Sequence, residues 1–341
     1  MSRAAVAVVL LAVGVGLTAS QNHDFDPRFR EVLVRDLAFS QNDLVDLSRG
    51  KPVRHSIPSR TAGEIAAVGA VRVYAPKAAF LTRVRDITRF KQGQGVLEIG
   101  RFSDPPVAAD LAALTVDAYD FEARACRVGD CGVRLPADVI KRVQQEIDPR
   151  LPDVQARTAA FFKQALFDDV SAYVTGGPGR FAQYDDGAKP IRPIDAFNGI
   201  LQASPSIGAL VPELPDHLQH FPAATIAGAE DFLYWSKEKY GIAPFISVTH
   251  VTIVCPSAEI CVMTTKDVYS SRYIDASLAT VIASDVPGSA DEFDLVYATR
   301  SRVSALDGFL SSFRRSMVER KMRGGLEDNL KLIKAELESG R

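Results

Sequence analysis

The sequence lacks an excess of charge of either sign: 40 Lys and Arg stand against 42 Asp and Glu, for a net charge of −2. A nucleic-acid binder ordinarily carries a strong basic excess, so that class of partner is not expected. Internal repeats and low-complexity stretches are also missing. Beyond residue 20 no apolar run approaches the roughly 20 residues needed to span a bilayer. There is no G-x-S-x-G nucleophile elbow. The glycine-rich stretch Gly176-Gly177-Pro178-Gly179-Arg180 lacks the Gly-Lys-Ser/Thr ending of a phosphate-binding loop and reads as a flexible connection. Asp185-Asp186-Gly187 lacks the alternating oxygen ligands of a calcium loop and reads as a turn. No motif therefore names a reaction, no cofactor or metal is expected, and the balance leans away from an enzyme.

What is present begins at the N-terminus. Arg3 precedes an apolar run from Ala4 to Leu17, then the small residues Thr18, Ala19 and Ser20, then polar Gln21-Asn22-His23-Asp24. This is the pattern of a secretory signal peptide over residues 1–20, cut near Ser20, with an uncleaved anchor as the alternative. The expected location is the periplasm or the outside medium. The mature chain of about 320 residues is long enough for one large domain or two ordinary ones. Four cysteines fall in two local pairs, Cys126 with Cys131 and Cys255 with Cys261. In an exported chain they read as two disulfides, each closing a short loop.

The pattern of elements is mixed. A polar N-terminal extension, 21–64, holds a short helix at Phe29 to Leu37 and an extended lead-in from Val45 to Pro58. A strand at Ala67 to Tyr74 is followed by a helix, Lys77 to Ile87, and a strand, Gly95 to Phe102. Helices are expected at Pro136 to Ile147, at Asp153 to Tyr173 with Asp153 as N-cap, and at Ala229 to Tyr240 around Trp235. Four strand candidates follow in close succession: Phe245 to Val254, Ile260 to Tyr269, Ser271 to Ser284 and Glu292 to Thr299. They suggest an antiparallel meander, and Cys255–Cys261 would staple its first hairpin. Ser304 to Glu338 closes the chain as a long helix that Gly324-Gly325 should kink or break, since each glycine costs about 1 kcal/mol there. The expected fold class is α+β: an antiparallel sheet packed on a long C-terminal helix, in a domain 65–341 with a helical middle insertion at about 105–240.

Each chemical candidate has a bland counterpart. His217 and His220, near Asp216 and Glu213, resemble half a metal site, but Pro215 and Pro222 bracket them and a surface loop is the simpler account. His250, among Ser247, Thr249 and Thr252, would suit a nucleophile–histidine–acid arrangement, or else be a partly buried strand histidine. Arg314, Arg315, Arg320, Lys321 and Arg323 form a basic cluster that would suit transient contact with an anionic membrane surface, or else a solvated helix face.

Two segments carry a resemblance. Val68 to Phe90 runs strand, Ala75-Pro76, helix, and the chain ends with a meander feeding the helix that closes in Leu330-Lys331-Leu332-Ile333-Lys334-Ala335-Glu336-Leu337-Glu338. This resembles the START-like (helix-grip) superfamily over about half the mature chain. The resemblance implies a curved antiparallel sheet around a long C-terminal helix, with a lipid or other apolar molecule held between them. Phe309, Phe313 and Met317 are then the helix residues expected beside such a cavity, or else plain core. Three functions follow for comparison: an exported carrier of an apolar ligand, an exported hydrolase using His250 or the group Asp216, His217 and His220, and an envelope assembly factor.

Overall fold

The computed structural model describes residues 24–60, 63–93, 95–177, 183–239, 243–306 and 311–340. Segment 1–20, expected as a signal peptide, and Phe309 lie outside the described residues, as do the side chains of Phe313 and Met317.

Eight antiparallel strands form one sheet: β1 (Val53–Ser56), β2 (Glu64–Val73), β3 (Val96–Arg101), β4 (Glu230–Glu238), β5 (Phe245–Val254), β6 (Ile260–Ser270), β7 (Ala276–Asp285) and β8 (Phe293–Arg302). Their spatial order is β1-β2-β8-β7-β6-β5-β4-β3. The last five are a meander, of which the close spacing of apolar runs predicted four, β5 to β8. β2 pairs along its whole length with β8, from Glu64 opposite Arg302 to Val73 opposite Phe293. The α+β expectation, with the sheet packed on a C-terminal helix, is realised.

Two helical layers cover the sheet. One face, called inner below, carries α3 (Lys77–Arg85), α4 (Ile87–Phe90) and the long α10 (Ser311–Glu338). Phe80, Val84 and Ile87 meet Val71, Val73, Phe293 and Leu295 there, and Leu326, Leu330 and Leu337 join the same core. The outer face carries α1 (Pro27–Glu31), α2 (Gln41–Ser48) and the inserted helices α5 (Ala137–Glu146), α6 (Val154–Gly176), α7 (Pro193–Gln202), α8 (Pro205–Leu210) and α9 (Leu214–His220). The insertion thus lies across the sheet from α10. Buried ion pairs fasten it: Lys237 Nζ to Asp120 at 2.6 Å and Arg134 to Asp275 at 2.5 Å. Both disulfides join the expected partners, Cys126–Cys131 within the segment between β3 and β4, and Cys255–Cys261 across the β5–β6 hairpin.

Four expectations are corrected. Ala229 to Tyr240 is not a helix but strand β4, so the insertion ends at residue 229. Both faces of β4 are buried between β3 and β5, so its apolar and aromatic residues run on without the polar alternation that marks a half-buried strand. Val45 to Pro58 is not an extended lead-in throughout; Ser40 and Asp43 form a reciprocal capping box that starts α2. Asp153 occupies the N-cap position of α6, but its carboxylate accepts from Arg157 at 2.9 Å rather than capping the backbone. Helix α10 passes through Gly324-Gly325 without interruption. Packing outweighs glycine propensity here: Arg323 reaches Ser56, Arg54 pairs with Glu327, and Leu326 and Leu330 seat on β2.

That seat is Gly69. A Cβ there would stand 2.7 Å from Leu330 Cδ1 and 3.1 Å from Leu326 Cγ. Gly69→Val should force α10 off the sheet and cost about 1–3 kcal/mol. Urea unfolding measures it; an unchanged midpoint would mean that the helix does not depend on this contact.

Candidate functional site

Strand register decides which side chains share the inner face. Phe232, Val251, Thr265, Ala279 and Thr299 form one cross-strand row, and Tyr234, Thr249 and Asp267 lie in the next. One end of this face is the aliphatic core under α3 and α10. The other is polar. Thr249 donates to Asp267 Oδ1 at 3.1 Å. Ser236 donates to Glu238 at 2.6 Å and meets Ser247 at 3.1 Å. Lys91, just past α4, reaches Glu238 at 2.8 Å and the Tyr234 hydroxyl at 3.2 Å.

A sheet face between two layers is ordinarily closed to water. Here Thr265, Asp267, Ser277, Tyr297, Thr299 and Ser301 are only half-buried, although they lie on the central strands β6, β7 and β8. Water therefore reaches the middle of the inner face. Asp267 is crowded by protein, yet its surface is not fully covered. Burial pushes its carboxyl up to about 7, against the opposing pull of Lys91 and the Thr249 hydroxyl. Burial likewise pushes the Tyr297 phenol up to about 12. At neutral pH this part of the face thus carries a carboxyl near its titration point, two phenols, several hydroxyls and one ammonium, beside the buried Phe232, Val251 and Met263. Such a surface can hold an amphipathic molecule with its polar end at Asp267.

The histidines lie on the other side of the sheet. His217 turns inward from α9, while His220 turns to solvent and pairs with Asp216 at 2.8 Å. His217 and His220 therefore do not converge on a common ligand. Instead His217 Nε2 and His250 Nε2 both face Asp231 Oδ1, at 3.0 and 2.9 Å, and Thr252 donates to the same oxygen at 2.7 Å. The other nitrogen of His250 meets the Tyr173 hydroxyl at 2.7 Å. Both ring nitrogens of His250 are thus engaged by groups other than a serine, so the triad arrangement is not formed. Burial opposes charge on both rings. In His250 it wins and the pKa falls; in His217 the bond to Asp231 and that carboxylate's charge win, and the pKa rises. Partial burial opposes charge on Asp231 as well, but its bonds to the two histidines hold its carboxyl far below the usual range.

Sequence reasoning missed Asp231, Asp267 and Lys91. One signal was legible. Lys266 and Asp267 are adjacent within a strand candidate, and adjacent strand residues point to opposite faces. In a strand flanked on both sides, neither charge reaches open solvent, so each marks polar surroundings on its own face. Lys266 lies on the outer face, with its Nζ 2.7 Å from the Leu218 carbonyl oxygen and over the Phe197 ring. Among the basic cluster, Arg320 is exposed and Arg323 bonds Ser56; the side chains of Arg314, Arg315 and Lys321 lie outside the described residues.

Comparison with protein families, with curated proteins and with solved structures found no match to this chain.

Proposed function

We propose that the protein, exported to the periplasm or beyond, binds a lipid or other largely apolar molecule between the inner face of the sheet and α10, in the manner of START-like proteins. The observation that carries this reading is the half-buried middle of the inner face, where a packed core would be closed. The strand order supports it as well, since β2 closes against β8 and the C-terminal helix lies on the same face as α3 and α4. The polar end of that face refines the expectation. A purely aliphatic ligand would cover Asp267, Thr265 and Tyr297 without meeting their remaining hydrogen-bonding capacity, at a cost of about 1–3 kcal/mol for each polar group left unpaired. The ligand is therefore amphipathic, with a hydroxyl or amine that meets Asp267.

The cleft lined by Asp36, Leu37, Ile57, Ser204, Ser206 and Thr280 holds about 10 Å³, at most a single water.

Native mass spectrometry of the mature protein, followed by solvent extraction, tests the proposal. A stoichiometric co-purified amphiphile is the expected result. Its occupancy should drop at least tenfold in Thr265→Trp, which fills the middle of the inner face. A protein that emerges empty and takes up no member of a lipid panel would remove the carrier reading.

A further inference from the structure

We propose that His217, Asp231 and His250, on the outer face, hold one divalent transition-metal ion of the zinc class. Their ligand atoms all lie within 4.8 Å of one another and come from three elements, α9, β4 and β5. Nitrogen and oxygen ligands of tetrahedral zinc stand about 3.3 Å apart, given bonds of about 2.0–2.1 Å. The two His–Asp separations, 3.0 and 2.9 Å, are close to that spacing.

Proton bookkeeping makes the case stronger than proximity does. His217 Nδ1 lies 2.8 Å from the Ala224 carbonyl oxygen. A carbonyl only accepts, so Nδ1 carries a hydrogen, and in the neutral ring Nε2 carries a lone pair. That lone pair points at a carboxylate oxygen. Two acceptors at this distance repel unless a positive charge lies between them. A second proton on His217 is one solution; a shared metal ion is the other. The shell around the three residues is one that a metal site would use. Metal-bound histidines commonly donate their remaining N–H to a carbonyl or another oxygen, which fixes the tautomer. His217 does so to Ala224, and His250 Nδ1 has the Tyr173 hydroxyl at 2.7 Å, itself held by the Phe221 ring stacked on Tyr173. Thr252 fixes the orientation of Asp231.

A further polar group belongs to the same row. Thr264 stands opposite Thr252 in the register and is fully buried, and its hydroxyl has no hydrogen-bond partner among the described residues. Such an orphan marks a polar site prepared for water or an ion. The imidazoles are closed off, at 2% and 0% side-chain exposure, whereas Asp231 retains 23% and provides the route in. Two imidazoles and one carboxylate, without thiolate, favour zinc over calcium or magnesium. The ion would clip α9 of the insertion to the central strands.

The test uses the full mature chain. It is stripped with a chelator, dialysed and titrated with Zn²⁺ by calorimetry, with metal counted by elemental analysis. One equivalent per chain is expected, with a Tm rise on the order of 5 °C at saturation. Affinity should fall at least tenfold in His217→Gln, while the exposed pair Asp216→Ala/His220→Ala should bind as the parent does. Should His217→Gln fail to fold, ¹⁵N spectra of the parent still decide: addition of Zn²⁺ must shift the Nε2 resonances of both buried histidines. A folded chain that retains no zinc, or whose buried histidine signals ignore it, overturns the site and leaves His217 a protonated partner of Asp231.

Discussion

Asp231→Ala is expected to destabilise the protein by about 3–5 kcal/mol, the largest single-residue effect we anticipate outside the aliphatic core. One carboxylate oxygen of Asp231 meets a ring nitrogen of each of two histidines and accepts from a threonine, and all three partners are buried. Removing it leaves three polar groups unpaired at once, and each is costly to leave unmade. Thr252→Val removes one donor and keeps the acceptor, so its cost should stay near 1 kcal/mol. Urea denaturation of both variants makes the comparison. Equal, small losses would show that water replaces the carboxylate freely and that the cluster is not sealed.

Asp267→Asn should act in the opposite direction and depend on pH. An ordinary aspartate titrates near 3.9 in the unfolded chain, whereas burial holds the folded carboxyl up to about 7. Between these values the folded state binds the proton more tightly. Stability therefore falls as pH rises through that window, and the full cost is present above about 7. Below pH 4 both states are protonated and the contribution vanishes. Asparagine is neutral throughout and keeps an oxygen for the Thr249 hydroxyl. The variant should match the parent at pH 4 and exceed it by about 1–2 kcal/mol at pH 8, a figure reduced for the water that reaches the inner face. A difference that does not change with pH would mean that the carboxyl is ionised at both, and that the inner face is as wet as open surface. The same substitution removes a group that can donate when protonated and accept when ionised, so it should also weaken retention of the amphiphile we propose.

The fold was more legible than the sites. Strands β5 to β8 were readable because each apolar run ends in a turn, and the C-terminal helix because its leucines recur at helical spacing. Segment 230–238 misled because a strand buried on both faces shows no period of two, and Phe232, Leu233, Tyr234 and Trp235 suit a helix equally well on composition. Gly324-Gly325 misled because local propensity was weighed without the seat that Gly69 provides some 250 residues earlier. The site residues failed for a different reason. Asp231 acquires its role only through His217 and His250, 14 and 19 positions away, and that convergence exists only once β4 is known to be a strand. Asp267 owes its raised pKa to burial on a sheet face assembled from several strands, which no local pattern encodes. Both disulfides were legible because each closes within a few residues.

Strand β2 ends at Val73 and its principal neighbour begins at Phe293. The sheet therefore cannot be completed from the N-terminus onward. Throughout synthesis β2 presents the open edge that β8 will fill, and it waits while about 220 intervening residues emerge, at roughly 5–20 residues per second. Loop closure over such a span is slow, and an apolar edge strand held open is the kind of surface on which chains associate wrongly. The meander β4 to β8, built from adjacent hairpins, can assemble first and present β8 as a template. Truncations from the C-terminus should accordingly be far less soluble than truncations of the N-terminal helices, because only the former leave β2 without its partner.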